Sequence, residues 1–486
     1  MKELEQLEEE SRKLEPDPEE RAQLNAWMVR YADRFLNALS QGQAYFPDAS
    51  PSRELLDLDF PEEGRSLEEL LRIVHRSVDQ TGINPASGKH LGYIPGGGVY
   101  PTAIGDYLAA ATNRYAGMFF ASPGAVRMEN KLLRWLCQLV GYPDEALGNL
   151  SSGGSIANLI AITTARDKLG IRSAEVTRSV VYLTRQTHHC VQKALRIAGL
   201  GETMLRYIPM DEQFRMQANA LEKQILRDMA DGMRPFLLVG SAGTTDTGAI
   251  DPLDPMSGIA QRYGLWFHVD AAYGGAFLLV DETKAAFRGI EKSDSVTIDP
   301  HKGFFLSYGI GAVLIRDPKA MYDSHHYSAQ YLQDAEGYNP DWSPADLSPE
   351  LTKHFRGLRM WLPLQLLGLK PFRAALAEKL WLTRYFYKEI QKYGFEVGPY
   401  PQLSVMLFRY RPSSGDINQF NQQMIQWIQL DGRFFFSSTT LEGQFFFRLA
   451  VLSFRTHKKE IDAGIELLRQ SVYEVKEELK RKKATP

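Results

Sequence analysis

Leu265-Trp-Phe-His-Val-Asp270-Ala-Ala-Tyr-Gly-Gly275 and Ser295-Val-Thr-Ile-Asp-Pro-His-Lys302-Gly-Phe-Phe305 share one pattern. In each, an apolar, β-prone run stops abruptly at ionisable residues. A strand buried in a parallel sheet reads as a continuous apolar run. In open α/β sheets, ligands bind just beyond the carboxyl ends of such strands. Asp270 and Lys302 are therefore expected to face one crevice from two strand ends.

An aspartate and a lysine converging there suit pyridoxal phosphate. That cofactor needs a lysine amine for its aldehyde and an acidic partner for its pyridinium nitrogen. Taken singly, each residue reads better as a surface lysine or a buried, hydrogen-bonded aspartate, since structural ion-pair networks are common. The pair at two strand ends favours the cofactor.

The composition is that of an ordinary globular protein. The chain has 486 residues, 44% hydrophobic and 24% charged, with a formal net charge of −3. That length allows more than one packed domain. The near-neutral charge gives no field that favours nucleic acid or an anionic membrane. Cys137 and Cys190 make neither a disulfide framework nor a zinc pattern, which suits a reducing cytoplasm. The acidic start, Met1 to Glu10, lacks the apolar core of a signal peptide, and no apolar run is long enough to span a bilayer. The basic stretch Lys476 to Lys483 reads as a solvated helix end. No membrane or nucleic-acid partner is expected.

Residues 1–85 read as helical and peripheral. Leu24, Trp27, Met28, Tyr31, Phe35 and Leu39 recur at helical spacing, and Ser66 is placed to cap a further helix. The run Tyr93-Ile-Pro95-Gly-Gly-Gly98 is a loop whose backbone can approach a ligand closely, or simply a flexible turn. Asn149-Leu-Ser-Ser-Gly-Gly154-Ser155-Ile-Ala-Asn158 feeds a helix N-terminus. Free N–H groups there bind anions; an ordinary N-cap is the alternative. Ser179 to Thr184 and Pro235 to Gly240 read as strands running into the polar turns that hold His188 and Gly243-Thr-Thr245. Tyr308 to Arg316 reads as a strand returning to the sheet. His325-His326 lacks a carboxylate or cysteine at a ligand-like spacing, so no metal site is expected. A long polar stretch, 322–345, includes Tyr331; such segments are often functional lids. Further on, Ser404 to Tyr410 and Gln444 to Ser453 alternate as strands, and Glu460 to Leu479 closes as a helix.

His268-Val-Asp-Ala-Ala-Tyr273 and Asp299-Pro-His-Lys302 resemble the signatures of the group II pyridoxal-phosphate decarboxylases. The resemblance extends from about Arg21 to about Val472. It implies fold type I, the aspartate-aminotransferase-like α/β architecture: a mostly parallel central sheet flanked by helices, with a small α+β C-terminal domain. The implied divisions are 1–85, an N-terminal dimerisation segment; 86–371, the large cofactor domain; and 372–486, the small domain. Lys302 would carry the cofactor, Asp270 would face its ring nitrogen, and His188 would stack on the ring. Gly154 and Ser155 would hold the phosphate. Thr245, Ala272, Asp299 and His301 would complete the cofactor shell. Tyr331 falls on a catalytic tyrosine, in a loop that reaches across a homodimer with shared active sites. Tyr93, Ile94 and Pro95, with Met118 or Phe119 from the neighbouring subunit, would line the substrate pocket, and Arg448 would lie near the substrate. Animal aromatic enzymes carry larger residues where Gly96 to Gly98 stand.

The implied activity is α-decarboxylation of an L-amino acid, first an aromatic one: tryptophan, tyrosine, phenylalanine or dopa. The rivals are a decarboxylase for a non-aromatic amino acid such as glutamate, a carbon–carbon lyase of the sphingosine-phosphate type, and a non-catalytic relative of the fold.

Overall fold

The computed structural model describes residues 1–327 and 341–484, the last two of these by backbone alone. The described residues form a seven-stranded central sheet. In chain order its strands are β1 Leu147–Ser151, β2 Ser179–Leu183, β3 Met204–Tyr207, β4 Arg234–Ser241, β5 Trp266–Asp270, β6 Ser295–Ile298 and β7 Gly311–Ile315. Across the sheet the order is β1-β7-β6-β5-β4-β2-β3. Only β7 runs antiparallel to its neighbours; the other pairs are parallel. Strands β1, β2, β5, β6 and β7 are buried at every position. That follows when both faces of a sheet are covered, and it explains why these strands read as unbroken apolar runs. The expected α/β class, mostly parallel sheet and returning strand are all present.

The helices used below are α1 Pro18–Ala38, α2 Leu67–Val74, α3 Tyr100–Thr112, α4 Pro123–Val140, α5 Gly154–Lys168, α6 Cys190–Ile197, α7 Arg356–Leu367, α8 Leu369–Gln391, α9 Ile417–Asp431 and α10 Lys458–Ala484. Helix α1 opens with a reciprocal capping box between Asp17 and Glu20. Ser66 caps α2 as its sequence position predicts, accepting from the Glu69 N–H at 3.3 Å. None of these helices is long and apolar enough to cross a membrane, and the same holds for every described helix.

The C-terminal part builds its own antiparallel sheet. Strands β8 Phe395–Val397, β9 Val405–Tyr410, β10 Ser437–Leu441 and β11 Gln444–Ala450 lie in the order β8-β9-β11-β10. Their apolar faces pack with α8, α9 and α10 into a second core centred on Phe386, Phe408, Phe436 and Phe447. Phe408 and Phe447 stack with ring centroids 5.2 Å apart, a geometry that adds to area burial. Leu91, just before the glycine loop, belongs to this second core. Its backbone pairs with both Phe435 and Ala450, at 2.8 and 2.9 Å. The glycine loop is thus tethered to the small sheet at one end. At the other it enters the large unit, where the Val99 N–H reaches the Phe305 carbonyl at 2.8 Å.

Candidate active site

Five strands of the central sheet end around one cavity of about 400 Å³. Ser152 to Ser155 follow β1, and Gln186 and His188 follow β2. Gly243 to Thr245 follow β4, Asp270 ends β5, and Asp299 to Lys302 follow β6. The carboxyl ends of parallel strands are where this architecture leaves backbone groups and side chains free to meet a ligand. Asp270 and Lys302 therefore share one cavity, as the strand-end pattern predicts.

Lys302 pairs first with Asp299, its Nζ lying 2.9 Å from Oδ2. Burial works against the ammonium. The attraction and hydrogen bond of Asp299, with Asp270 further off, outweigh that penalty and hold the Lys302 pKa above the usual lysine value. Asp299 itself has almost no freedom. A Cβ on Gly154 would lie 2.8 Å from its Oδ2, and one on Gly311 would lie 2.7 Å from its Oδ1. Two glycines thus let a carboxylate wedge between β1's loop and β7.

Asp270 is buried and accepts from the Ala272 N–H at 3.0 Å and from Asn158 Nδ2 at 3.4 Å. His188 is half-buried, and its Nδ1 accepts from the Cys190 N–H at 3.3 Å. Burial pushes its pKa down, against the pull of Asp270. A neutral His188 with Nδ1 already accepting carries its proton on Nε2. His301 donates from Nδ1 to the Ile310 carbonyl at 2.5 Å, and burial likewise lowers its pKa.

Helix α5 starts at Gly154 beside this cavity. The first N–H groups of a helix have no partner within it, and together with the helix dipole they favour an anion. Ser155 adds a hydroxyl to the same wall. Two wall acceptors, Gln186 Oε1 and Asp299 Oδ1, are buried without a hydrogen-bond partner among the described residues, so the wall is suited to a polar guest. An amine, a carboxylate, a helix N-terminus and a cavity of this size together fit pyridoxal phosphate. Among the described residues no cluster of three or more metal-ligating side chains occurs.

The cavity gathers Lys302, Asp270, His188, Gly154, Ser155, Thr245, Ala272, Asp299 and His301. The residues named for substrate lie elsewhere. Tyr93 is exposed, with its ring 5.4 Å from that of Phe435. Pro95 is buried in the glycine loop. Met118 sits in a turn bonded to the 343–345 segment, through Gly117 O to Ala345 N at 2.9 Å and Phe119 N to Ser343 Oγ at 3.0 Å. Arg448 is buried on β11 and donates to the Thr245 carbonyl at 2.6 Å and Ser437 Oγ at 2.7 Å. It supports the Thr245 turn from behind. Tyr331 lies outside the described residues.

The glycine loop lies against the turn that carries Lys302. The neighbour of Gly96 is the backbone of His301 and Lys302. Asn158, Gln186, Cys190 and Ser241 line the cavity and carry no expected role. Asn158 had a usable signal: it stands four residues after Gly154 on α5, and that spacing returns to the same helix face.

A model of the pyridoxal-dependent decarboxylase conserved domain matches residues 50–411. An aromatic-L-amino-acid decarboxylase of Bacillus atrophaeus is 32% identical over 421 residues, covering 85% of this chain and 87% of that protein. An L-2,4-diaminobutyrate decarboxylase of Acinetobacter baumannii is 34% identical over 335 residues, 64% of each chain. The crystal structure of a Catharanthus roseus tryptophan decarboxylase superposes with a TM-score of 0.87 at 22% identity, covering 95% of this chain and 99% of that one. At that identity the likeness carries the fold alone.

Proposed function

Because this chain belongs to the pyridoxal-dependent decarboxylase family, we propose that its own substrate is an aromatic L-amino acid, released as the amine and carbon dioxide. The enzyme is a pyridoxal-phosphate-dependent carboxy-lyase. The observation that carries the site assignment is the meeting of Lys302 and Asp270 on one cavity at the strand ends. The aromatic choice is supported by the relative from Bacillus atrophaeus. The diaminobutyrate decarboxylase at 34% identity favours a second reading, a non-aromatic amino acid.

Pyridoxal phosphate, when bound, supplies an electron sink for the pair left at Cα as carbon dioxide departs. In our assignment the Lys302 amine would hold the cofactor covalently. Asp270 would keep a proton at the ring nitrogen, where its negative charge is worth most in a buried setting. The α5 N-terminus and Ser155 would hold the phosphate. His188 would cover one ring face, with its proton on Nε2. Thr245, whose carbonyl accepts from Arg448, would stand beside the ring. Tyr331, which would return a proton to Cα, lies outside the described residues.

We take 1–85, 86–371 and 372–486 as the dimerisation, cofactor and small domains of a cytoplasmic homodimer. Exposed apolar residues support the dimer: Leu24, Met28 and Val29 on α1, and Tyr100, Ile104, Tyr107 and Leu108 along one face of α3. The two cysteines are free and buried, which suits a reducing compartment.

The test is to incubate the purified holoenzyme with each amino acid and measure carbon dioxide and amine by mass spectrometry. Tryptophan, tyrosine, phenylalanine or dopa should give equal amounts of both. Turnover confined to 2,4-diaminobutyrate or glutamate would overturn the aromatic choice while leaving the family untouched.

A further inference from the structure

Behind Asp270 runs a chain of buried polar groups that no step so far has used. Trp266 Nε1 donates to Ser295 Oγ at 2.8 Å. Ser295 Oγ lies 2.8 Å from His268 Nδ1. His268 Nε2 lies 2.7 Å from Asn158 Oδ1. Asn158 Nδ2 faces the Gly154 carbonyl at 2.8 Å, Asp270 Oδ2 at 3.4 Å and Cys190 Sγ at 3.5 Å. Ser295, His268 and Asn158 are all fully buried.

The direction of every bond follows from valence. The amide nitrogen of Asn158 must face the Gly154 carbonyl and the Asp270 carboxylate, because both only accept. Its oxygen therefore faces His268, and His268 Nε2 must carry a hydrogen. Burial lowers the His268 pKa to about 4, against the pull of Asp270, so the ring is neutral and Nδ1 is bare. Ser295 then donates to Nδ1 while accepting from Trp266, whose indole can only donate.

We propose that His268 is a positioning residue that locks the amide of Asn158, and through it the carboxylate of Asp270 and the first turn of α5. The inference rests on the assignment of Asp270 to the cofactor ring nitrogen. Asn158 is the hinge of the argument. Turned over, it would set its oxygen against a carbonyl and a carboxylate at once, with Asn158 itself fully buried. The Nε2–H of His268 rewards only the correct orientation. One imidazole thereby ties the ring-nitrogen partner on β5 to the phosphate-binding end of α5, two groups that must grip one small molecule in a fixed relation. His268 precedes Asp270 by two residues on β5, so its side chain points to the same face.

The experiment uses apoenzyme reloaded with pyridoxal phosphate labelled with 15N in the ring, whose shift reports protonation of that nitrogen. The variants are His268→Phe, which keeps a ring but has no donor, and His268→Gln, whose amide can place an N–H near the Nε2 position. His268→Phe should weaken cofactor binding by about tenfold or more, the usual range for a lost hydrogen bond that leaves a buried group unpaired. It should also move the ring-nitrogen signal towards the unprotonated position, and His268→Gln should restore both. If Asp270→Asn shifts the nitrogen signal but His268→Phe changes neither signal nor affinity, the positioning role fails and the assignment of Asp270 stands. If Asp270→Asn also leaves the signal in place, the assignment of Asp270 fails and the inference falls with it. Should His268→Phe not fold, 15N-histidine spectra of the wild type still decide. The resonance absent from His268→Gln should be a neutral Nε2–H tautomer that does not titrate between pH 6 and 8. A proton found on Nδ1, or titration in that range, overturns the proposal.

Discussion

Gly96 packs directly onto the turn that carries Lys302. A Cβ on Gly96 would lie 2.6 Å from the Lys302 carbonyl oxygen, 2.6 Å from that of His301 and 2.9 Å from Phe305 Cα. These neighbours are backbone atoms, so none can swing aside. The glycine loop is fixed in turn by Arg455, which donates to the carbonyls of Ala86, Gly97 and Gly98. A segment just past the small sheet thus bears, through one residue without a side chain, on the turn holding the reactive amine.

Gly96→Ala should therefore disturb Lys302 more than it disturbs folding. We expect a stability loss of about 1–3 kcal/mol, typical of overpacking, together with clearly weaker cofactor loading. Gly98→Ala is the contrast. Its Cβ would come no closer than 3.4 Å to Ser307 Oγ, but its φ of +66° lies in the left-handed region. It should cost about 1–2 kcal/mol of stability with loading unchanged. Thermal unfolding and titration with pyridoxal phosphate separate the two. Equal loading by both variants would show that the Gly96 contact does not reach the site.

Asp299 and Lys302 form the second coupled pair, with Nζ and Oδ2 2.9 Å apart. Burial alone would lower the lysine pKa; Asp299 reverses that. Asp299→Asn removes the reversing charge, so the Lys302 pKa should fall. The neutral amine is the form that attacks an aldehyde. The pH midpoint for cofactor attachment should accordingly move to lower pH, followed by the yellow absorbance of reloaded apoenzyme. An unmoved midpoint would mean that the pair does not set the state of the amine.

Part of this arrangement is legible in the sequence alone. Strand ends were legible because burial on both faces forces an apolar run, and Asp270 and Lys302 break two such runs abruptly. The start of α5 was legible because Gly153, Gly154 and Ser155 immediately precede apolar periodicity. The His268–Asn158 contact was not, since it joins β5 to α5 across 110 positions of sequence. Nor was the task of Gly96, whose requirement for glycine comes from the Lys302 turn and not from its own backbone angles. Arg448 was placed near the substrate from its local motif, but its contact with the Thr245 carbonyl depends on how β11 meets the turn after β4.

Two buried histidines predict an acid-sensitive fold. Burial lowers both His90 and His268 to about 4, against about 6.5 for an unfolded histidine. Between those values the unfolded chain holds more protons than the folded one, so stability falls as pH falls through that window. Each group is worth about 3 kcal/mol once pH has dropped below 4. Urea unfolding of the apoenzyme between pH 7 and 4.5 should show this slope, and His90→Gln should reduce it. A slope that His90→Gln leaves intact would assign the acid sensitivity to other groups.

Glu129 and Lys353 supply the last prediction, about the support beneath the end of β1. Lys353 Nζ donates to Glu129 Oε1 at 2.8 Å, to the Leu150 carbonyl at 2.8 Å and to Asn149 Oδ1 at 3.1 Å. Glu129 Oε1 also accepts from the Leu150 N–H at 3.1 Å. Neither side chain is more than 1% exposed. The pair therefore joins α4, the end of β1 and the approach to α7 in a buried setting. A buried pair can contribute little net stability, yet removing one member strands a charge at a cost of about 3–5 kcal/mol. Lys353→Met should cost that much, because Glu129 would lose its counter-charge in a buried setting, where its Oε2 already has no partner among the described residues. Lys353→Met combined with Glu129→Leu should be less damaging than the sum of the two single changes, because no uncompensated charge remains. Part of the loss should persist, since the Leu150 backbone and Asn149 still lose partners. A double-mutant cycle measured by urea unfolding checks this, and strict additivity would show that the two groups do not stabilise each other as a pair.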